Sequence, residues 1–336
     1  MMTIQEIERA CDASQTLDFS RHDQEAPELS LKNVYYPLGF PAEVRTNSVR
    51  VLELMDELWG KFEKQHDTEP FISEVHVVDC DGTNECPPTP IFRLMMPLFL
   101  SVADGNNYSI VDLEKLITRI SITRGTLRHG LYAKYFLLGT PGCCISTRHS
   151  TPVHAACVSL DGKGVLLCGD SGAGKSTLSY ACARAGWTFT SDDGSYLLNG
   201  GTERMVTGDC YQVRFRPASI DLFPEIAGLK ITPRAAGKPS IEMSTQSRTH
   251  LVCKPTAKVD FMVFLNRHSG DSQELRPYRK DVARYFLRQT PFGLPETLAV
   301  QYEAIESLLK ADVLELCYTD LDWAIARLEK LVREGS

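Results

Sequence analysis

The sequence of 336 residues predicts an α/β protein, and three features of the chain support this fold class. A glycine-rich loop connects a short apolar segment to a segment of helix-forming residues. Beyond residue 152, strand-like and helix-like segments alternate, as in α/β folds. The first part of the chain also contains strand-like and helical segments, but no recognisable motif. We therefore expect an N-terminal α+β region over 1–140 and an α/β domain over 141–336.

The composition is that of an ordinary globular protein, with 43% hydrophobic and 24% charged residues. The net charge of −7 argues against nucleic acid as the main partner, because such proteins usually have a basic surface. No apolar signal segment opens the sequence, and the longest apolar stretch, Leu94–Val102, is too short to cross a membrane. None of the 11 cysteines has the C-x-x-C spacing of zinc sites. We expect a cytoplasmic protein with reduced thiols and no membrane partner.

Four segments of the N-terminal region have clear periodicity. A helix is predicted over Ser48–Gln65, where apolar residues recur on one face, and another over Arg128–Leu138. Strands are predicted over Ile72–Asp79 and Ile91–Val102. A cluster of Pro, Gly, Ser and Thr at 140–152 then indicates a boundary between the two parts of the chain.

Two apolar segments after this boundary predict a β-hairpin. They are His154–Leu160 and Gly164–Cys168, and the Asp-Gly pair at 161–162 is a strong signal for a two-residue turn. If this pair forms the turn, His154 lies opposite Gly169; a turn shifted by one residue moves the histidine two positions along the loop. Both registers bring His154 beside the glycine-rich loop. The alternative is a structural histidine at the end of a strand.

Residues 169–177 read GDSGAGKST and match the phosphate-binding pattern G-x-x-x-x-G-K-[ST]. The glycines let backbone N–H groups turn inward around a phosphate, and the helix predicted over Ser176–Ala185 directs its positive end to the same place. Lys175 is expected at the β- and γ-phosphates, and the Ser176 hydroxyl is expected to bind Mg²⁺. The alternative is a fortuitous glycine-rich turn. The predicted nucleotide-binding residues are Gly169, Asp170, Ser171, Gly172, Ala173, Gly174, Lys175, Ser176 and Thr177.

Two adjacent carboxylates, Asp192 and Asp193, follow the strand predicted over Trp187–Ser191. Ligands of open α/β sheets bind beyond the strand ends, so both carboxylates are expected near the glycine-rich loop. One could hold Mg²⁺, which prefers oxygen ligands, and the other could accept the proton of an acceptor hydroxyl. The alternative is a turn, since Asp-Asp-Gly is also typical of turns.

The end of the chain predicts a helix over Leu298–Lys310, a strand over Val313–Tyr318 and a helix over Asp322–Arg333. The last helix has an apolar stripe that repeats with helical spacing. These elements continue the alternation expected of an α/β domain.

The order of the strand from His154, the Asp-Gly hairpin, the loop 169–177 and the Asp192-Asp193 pair resembles the catalytic domain of HPr kinase/phosphorylase and its relatives. The resemblance is clear over about 150–200 and weaker at Asn266-Arg267. It implies a P-loop kinase fold with a mixed sheet, related to phosphoenolpyruvate carboxykinase, that transfers the γ-phosphate of ATP to a serine hydroxyl with Mg²⁺. It further implies that Asp192 is the base near His154 and that Asp193 helps to bind the metal. Members of the family tend to form homo-oligomers.

The chain departs from the family downstream of the Asp pair, where the signature E-x-R-G-x-G is not present. The corresponding region reads YQVRFRP over Tyr211–Pro217. The acceptor therefore stays open among a protein, a peptide and a small molecule. Glu225 and Glu242 are equal candidates for a further acidic metal ligand. Four basic residues are candidate phosphate contacts, or else solvated surface: Arg214, Arg216, Arg234 and Lys238.

Two functions from different classes fit these residues. The first is a Mg-ATP-dependent kinase that acts on a hydroxyl, with Asp192, His154 and Lys175 as catalytic residues. The second is a nucleotide-binding regulatory or interaction protein, with the N-terminal region as its partner module. A regulator needs the loop but no base, so the carboxylates and the histidine favour the enzyme. An ATPase or GTPase motor would require a distant Walker B strand, which the sequence does not indicate.

Overall fold

The computed structural model describes residues 28–79, 84–201, 203–232, 239–267 and 273–335, together with Glu6, Arg9 and Ala13. Contacts divide the chain into two compact units, Met1–Arg148 and His149–Ser336. This division falls within the 140–152 cluster, at the end of a short helix that occupies Cys143–Arg148. Each unit combines helices with a sheet that mixes parallel and antiparallel strands.

The first unit is built on a seven-stranded sheet with the order β1-β2-β3-β7-β6-β5-β4. Its strands are β1 (Leu31–Tyr35), β2 (Ala42–Thr46), β3 (Phe71–Val78), β4 (Ile91–Met95), β5 (Leu98–Val102), β6 (Tyr108–Asp112) and β7 (Ile117–Thr123). Its α-helices are α1 (Val49–Trp59), α2 (Arg124–Leu127), α3 (Gly130–Ala133) and α4 (Cys143–Arg148). A π-helix occupies Lys134–Leu138, and 3-10 helices occupy Pro37–Gly39 and Thr140–Gly142.

The strand predicted over Ile72–Asp79 is confirmed as β3, and the segment Arg128–Leu138 is helical only from Gly130, as α3 followed by the π-helix. Helix α1 forms where the Ser48–Gln65 pattern predicts it, but it ends at Trp59, before Gly60, a residue of low helix propensity. The single strand predicted over Ile91–Val102 is wrong, because the chain reverses at Met96 and Pro97 into two antiparallel strands. Met95 lies opposite Leu98 in this β4–β5 pair.

In its described residues, the second unit contains the strands β8 to β20 and the helices α5 to α8. The strands are β8 (Ser150–Val153), β9 (Ala155–Leu160), β10 (Lys163–Cys168), β11 (Thr188–Ser191), β12 (Ser195–Leu198), β13 (Met205–Gly208), β14 (Gln212–Phe215), β15 (Ile231–Thr232), β16 (Ser240–Ser244), β17 (Val252–Cys253), β18 (Thr256–Arg267), β19 (Glu274–Pro277) and β20 (Asp312–Tyr318). The helices are α5 (Lys175–Arg184), α6 (Lys280–Leu287), α7 (Pro295–Leu308) and α8 (Leu321–Glu334). Two 3-10 helices occupy Pro217–Asp221 and Pro224–Ile226.

A ten-stranded sheet organises this unit, with the order β17-β11-β9-β10-β18-β13-β12-β8 along its main path. Strand β20 pairs with β18 and β19, and β14, β15 and β16 form a separate small sheet. Strands β10, β18 and β20 are parallel to one another, while β9 runs antiparallel to its neighbours β10 and β11. The carboxyl ends of β10, β11, β18 and β20 and the start of β9 therefore meet at one edge of the sheet.

Helices cover both faces of the central strands. On β10, Val165 and Leu167 pack in one apolar cluster with Leu178 of α5 and Leu328 of α8. The intervening side chain, Leu166, packs in a second cluster with Ala283 of α6 and Ile305 of α7. A strand buried on both faces carries a continuous apolar run, which is why GVLLC is apolar at almost every position. Within the described ranges, no helix is long and apolar enough to cross a membrane.

The β9–β10 hairpin has the register predicted from its turn. Leu160 lies opposite Lys163, and Ala155 lies opposite Cys168. Asp161 and Gly162 form the turn with φ angles of 51° and 79°. Positive φ at both central residues is typical of the type I′ turn, whose twist matches that of the strands. His154 therefore directly precedes β9 at the end of the sheet where β10 enters the glycine-rich loop.

Candidate functional site

The candidate site lies at this edge of the sheet, where three of the predicted side chains come together. His154 precedes β9, Lys175 begins α5, and Asp193 follows β11. The strand carrying Asp193 pairs with β9 rather than directly with β10. The Asp193 carboxylate still reaches Lys175 of the loop, because β11 and β10 end at the same edge.

The glycine-rich loop (Gly169–Thr177) joins β10 to α5 by backbone conformations that favour glycine. Gly172 and Gly174 have φ angles of 96° and 97°, in the left-handed region. The first N–H groups of an α-helix have no partner within the helix, and α5 begins at Lys175. These donors and the positive end of the helix dipole make the loop suitable for an anion such as a phosphate.

Lys175 is buried, with 4% of its side chain exposed. Its ammonium donates to the carbonyl oxygens of Gly169 at 2.7 Å and Asp170 at 3.1 Å. The same nitrogen lies 2.9 Å from His154 Nε2 and 3.5 Å from Asp193 Oδ1. Burial lowers the pKa of Lys175, and the nearby charge of Asp193 opposes that shift. The loop thus holds a desolvated cation at its centre.

His154 connects this cation to a carboxylate. An ammonium group can only donate, so the contact with Lys175 requires Nε2 of the ring to be the acceptor. The ring proton is then on Nδ1, which faces Asp193 Oδ1 at 3.5 Å. Burial and the positive charge of Lys175 lower the pKa of His154, with Asp193 acting in the opposite direction. These contacts favour a neutral imidazole with one defined tautomer.

The carboxylate beside His154 is therefore that of Asp193, whereas the family resemblance implies the first residue of the pair. The side chain of Asp192 lies away from His154, and its Oδ2 accepts a hydrogen bond from the backbone N–H of Arg214 at 2.7 Å. Burial raises the pKa of Asp192 to about 6, although the hydrogen bond from Arg214 opposes the shift. The two carboxylates thus occupy different environments and are suited to different tasks.

The side chains that could hold Mg²⁺ are oxygen donors. Ser176 Oγ donates to the backbone oxygen of Asp192 at 3.4 Å, which ties the start of α5 to the Asp pair. Among the residues that the structure describes, no group of three His, Cys, Asp or Glu side chains could hold a metal by itself. Mg²⁺ is usually bound by one or two carboxylates together with substrate phosphates. Ser176 and Asp193 fit that pattern.

The other predicted site residues contact Asp192, contact helix α5 or lie on the surface. Arg214 reaches Asp192 through its backbone, and its side-chain Nε lies 3.3 Å from Glu242 Oε1. Glu225 instead accepts a hydrogen bond from Tyr180 and lies 3.4 Å from Arg184 on α5. Arg216 is exposed. The remaining two predicted phosphate contacts, Arg234 and Lys238, lie outside the described residues.

Sequence reasoning did not identify the aromatic side chain beside the loop. Tyr318, at the end of β20, is buried, and a Cβ added to Gly174 would lie 3.0 Å from its hydroxyl. The signal was available, because Tyr318 ends an apolar strand parallel to β18 and hence to β10. Side chains at the carboxyl ends of neighbouring parallel strands are expected to line one site.

No family model matches the sequence, and no curated protein matches it. The chain is similar to the solved structure of the HPr(Ser) kinase/phosphatase from Coxiella burnetii, with 14% sequence identity and a TM-score of 0.32. The match covers 55% of this chain and 99% of that chain. This is a weak similarity at the level of the fold.

Proposed function

We propose that this protein is a Mg-ATP-dependent kinase that transfers the γ-phosphate to a hydroxyl group, either a serine of a protein or peptide or a hydroxyl of a small molecule. The proposal depends on one observation. The buried Lys175 ammonium, within a glycine-rich loop at a helix N-terminus, lies 2.9 Å from His154 and 3.5 Å from Asp193. A loop that only bound nucleotide would need the lysine but not the histidine and the carboxylate beside it.

In this proposal the C-terminal unit is a kinase domain of the P-loop type, similar to HPr kinase and phosphoenolpyruvate carboxykinase. Backbone N–H groups of the loop and Lys175 hold the β- and γ-phosphates. Such preorganised donors stabilise the charge of the transferring phosphoryl group without reorganisation during the reaction. Because Lys175 is buried and already oriented, its charge is little screened by water.

Asp192 is the residue proposed to accept the proton of the acceptor. The acceptor oxygen forms a bond to the γ-phosphorus, the bond from that phosphorus to the β,γ-bridging oxygen breaks, and ADP leaves. The hydroxyl proton passes to the Asp192 carboxylate. A base works best when its pKa lies near the working pH, and burial raises the pKa of Asp192 to about 6.

Ser176 and Asp193 are the residues proposed to hold Mg²⁺. When bound, the ion neutralises charge on the β- and γ-phosphates. His154 positions Asp193 through its Nδ1–H and Lys175 through Nε2, which keeps the carboxylate and the ammonium at fixed places beside the loop. The histidine is thus assigned an orienting role, and it does not carry the transferred proton.

Transfer of label from γ-³²P-ATP tests this function. Wild-type protein should transfer label to an acceptor in a mixture of peptides and small hydroxyl compounds, and the product should be an acid-stable phosphoester. Lys175→Ala should abolish transfer, whereas Lys258→Ala, an exposed lysine on β18, should leave it unchanged. Wild-type protein that binds ATP but transfers label to no hydroxyl would instead support the regulatory alternative.

A further inference from the structure

A cleft opens in the C-terminal unit along the outer side of α5. It has a volume of about 580 Å³ and is bounded by α5, the end of β20 and the start of α8. Sites for small ligands typically have volumes of about 300–1,000 Å³. Its lining includes Thr177, Leu222, Arg267, Tyr318 and Asp322. We refer to this site as the α5–α8 cleft.

The α5–α8 cleft is continuous with the glycine-rich loop. Thr177, the last residue of the loop, lines it. Tyr318 lines it as well, and its hydroxyl would lie 3.0 Å from a Cβ on Gly174, within the loop. A ligand whose phosphates occupy the loop would therefore have the cleft directly beside it for the rest of the molecule.

The sheet order places this cleft on the opposite flank of the loop from the reactive side chains. From β10, the strands β9 and β11 lead on one side to His154 and Asp193. On the other side, β18 and β20 lead to Arg267 and Tyr318. A nucleoside triphosphate crossing the loop can thus present its γ-phosphate to the histidine and carboxylates only if its nucleoside lies toward β18 and β20.

The chemistry of the lining suits a nucleoside. Leu222, an exposed apolar side chain of the lining, provides a surface on which a base can pack. Arg267 is exposed at the end of β18, and a planar guanidinium can stack on a purine or pyrimidine ring. The exposed carboxylate of Asp322, in the first turn of α8, can accept hydrogen bonds from sugar hydroxyls.

We propose that the α5–α8 cleft binds the nucleoside of the phosphate donor, with the base against Arg267 and the α5 side and the ribose toward the start of α8. This assignment rests on the proposed function, because it requires the triphosphate to occupy the glycine-rich loop. It predicts that the protein gains affinity from the nucleoside and does not bind its donor through the phosphates alone.

Two probes separate the nucleoside from the phosphates: Mg-ATP and magnesium tripolyphosphate, measured by calorimetry with the full chain. Arg267→Ala should raise the Kd for ATP by about 2–30-fold, the range of one cation–π contact, and leave tripolyphosphate within about 2-fold. Ala185→Trp, at an exposed position of the cleft wall, should show the same selective loss. Arg279→Ala, an exposed arginine that does not line the cleft, is the matched control.

Each outcome has a defined meaning. Selective loss of ATP affinity in both cleft variants supports the assignment. Equal loss of ATP and tripolyphosphate affinity, or unchanged ATP affinity in both variants, overturns the cleft assignment while leaving the proposed function standing. If wild-type protein binds neither probe, the proposed function itself fails.

Discussion

The ammonium of Lys175, which begins α5, lies 2.9 Å from Nε2 of His154, which precedes β9. The two are brought together by the β9–β10 hairpin, which returns the chain from His154 to the loop. Through this contact, the charge of Lys175 in the loop acts directly on the imidazole of His154. It also means that a substitution of Lys175 should change the titration of His154.

Lys175→Ala should reduce the stabilisation of the protein by Mg-ATP. A ligand present at about 100 times its Kd stabilises the folded state by about 2.7 kcal/mol, which raises the unfolding temperature. Removal of the buried cation that faces the phosphates should abolish most of this shift. Thermal unfolding with and without Mg-ATP measures it, with Lys258→Ala as the control. Equal shifts in wild type and Lys175→Ala would show that the loop does not bind phosphate through this lysine.

The titration of His154 should respond to its two neighbours in opposite directions. Its pKa lies below the usual 6.5 because of burial and the charge of Lys175, while Asp193 acts against this shift. Lys175→Ala should therefore raise the pKa, and Asp193→Asn should lower it further. NMR of the imidazole protons against pH measures both. Shifts of the same sign in the two variants would mean that the histidine does not lie between these charges.

Asp192→Asn should stabilise the folded protein at neutral pH. The pKa of Asp192 is raised from 3.8 to about 6, so the folded chain holds this proton more tightly than the unfolded chain. The stability associated with the group is thus present below pH 3.8 and is lost as pH rises through about 6. At pH 7 the substitution should add on the order of 1–3 kcal/mol to the free energy of unfolding.

Urea unfolding at several pH values tests this expectation. The advantage of Asp192→Asn should shrink as pH falls from about 6 toward 4. Asp281→Asn is a control of opposite sign, because Arg279 lowers the pKa of the Asp281 carboxylate. An advantage for Asp192→Asn that does not depend on pH would show that the carboxyl group is not held in its protonated form by burial.

Gly162→Ala should destabilise the protein by about 1–2 kcal/mol, the cost of placing a residue with a Cβ in the left-handed region. Gly162 has a φ of 79°, and a Cβ added there would meet no atom within 4 Å, so the effect isolates the backbone conformation. Gly201→Ala is the control, since that glycine lacks a positive φ and has only ordinary contacts. Equal unfolding free energies for the two variants would contradict the type I′ turn.

The hairpin could be predicted from sequence because its register depends on two adjacent residues, Asp161 and Gly162, whose turn geometry is local. The reversal at Met96 and Pro97 could not, since the residues on both sides of the turn are apolar and a proline is also tolerated at a strand edge.

The different surroundings of Asp192 and Asp193 could not be predicted from the sequence either. Consecutive residues near a strand end point to opposite sides, and only the packing of β11 on β9 determines that Asp193 faces His154. The pKa of Asp192 likewise depends on the fold, because burial raises it and the N–H of Arg214, a residue distant in sequence, opposes that shift. The sequence indicated which residues would meet at the site, but their pairing depends on tertiary structure.

Kinetic comparison of Asp192→Asn and Asp193→Asn tests the central claim most directly. Once an acceptor is identified, phosphate transfer is measured as a function of ATP and Mg²⁺ concentration. Asp192→Asn should leave ATP affinity nearly unchanged and lower kcat by about 10²–10⁴-fold, the usual contribution of a positioned base. Asp193→Asn should shift the Mg²⁺ dependence to higher concentration. Full transfer activity in Asp192→Asn, with unchanged Mg²⁺ dependence in Asp193→Asn, would contradict the assignment of this site as the centre of phosphoryl transfer.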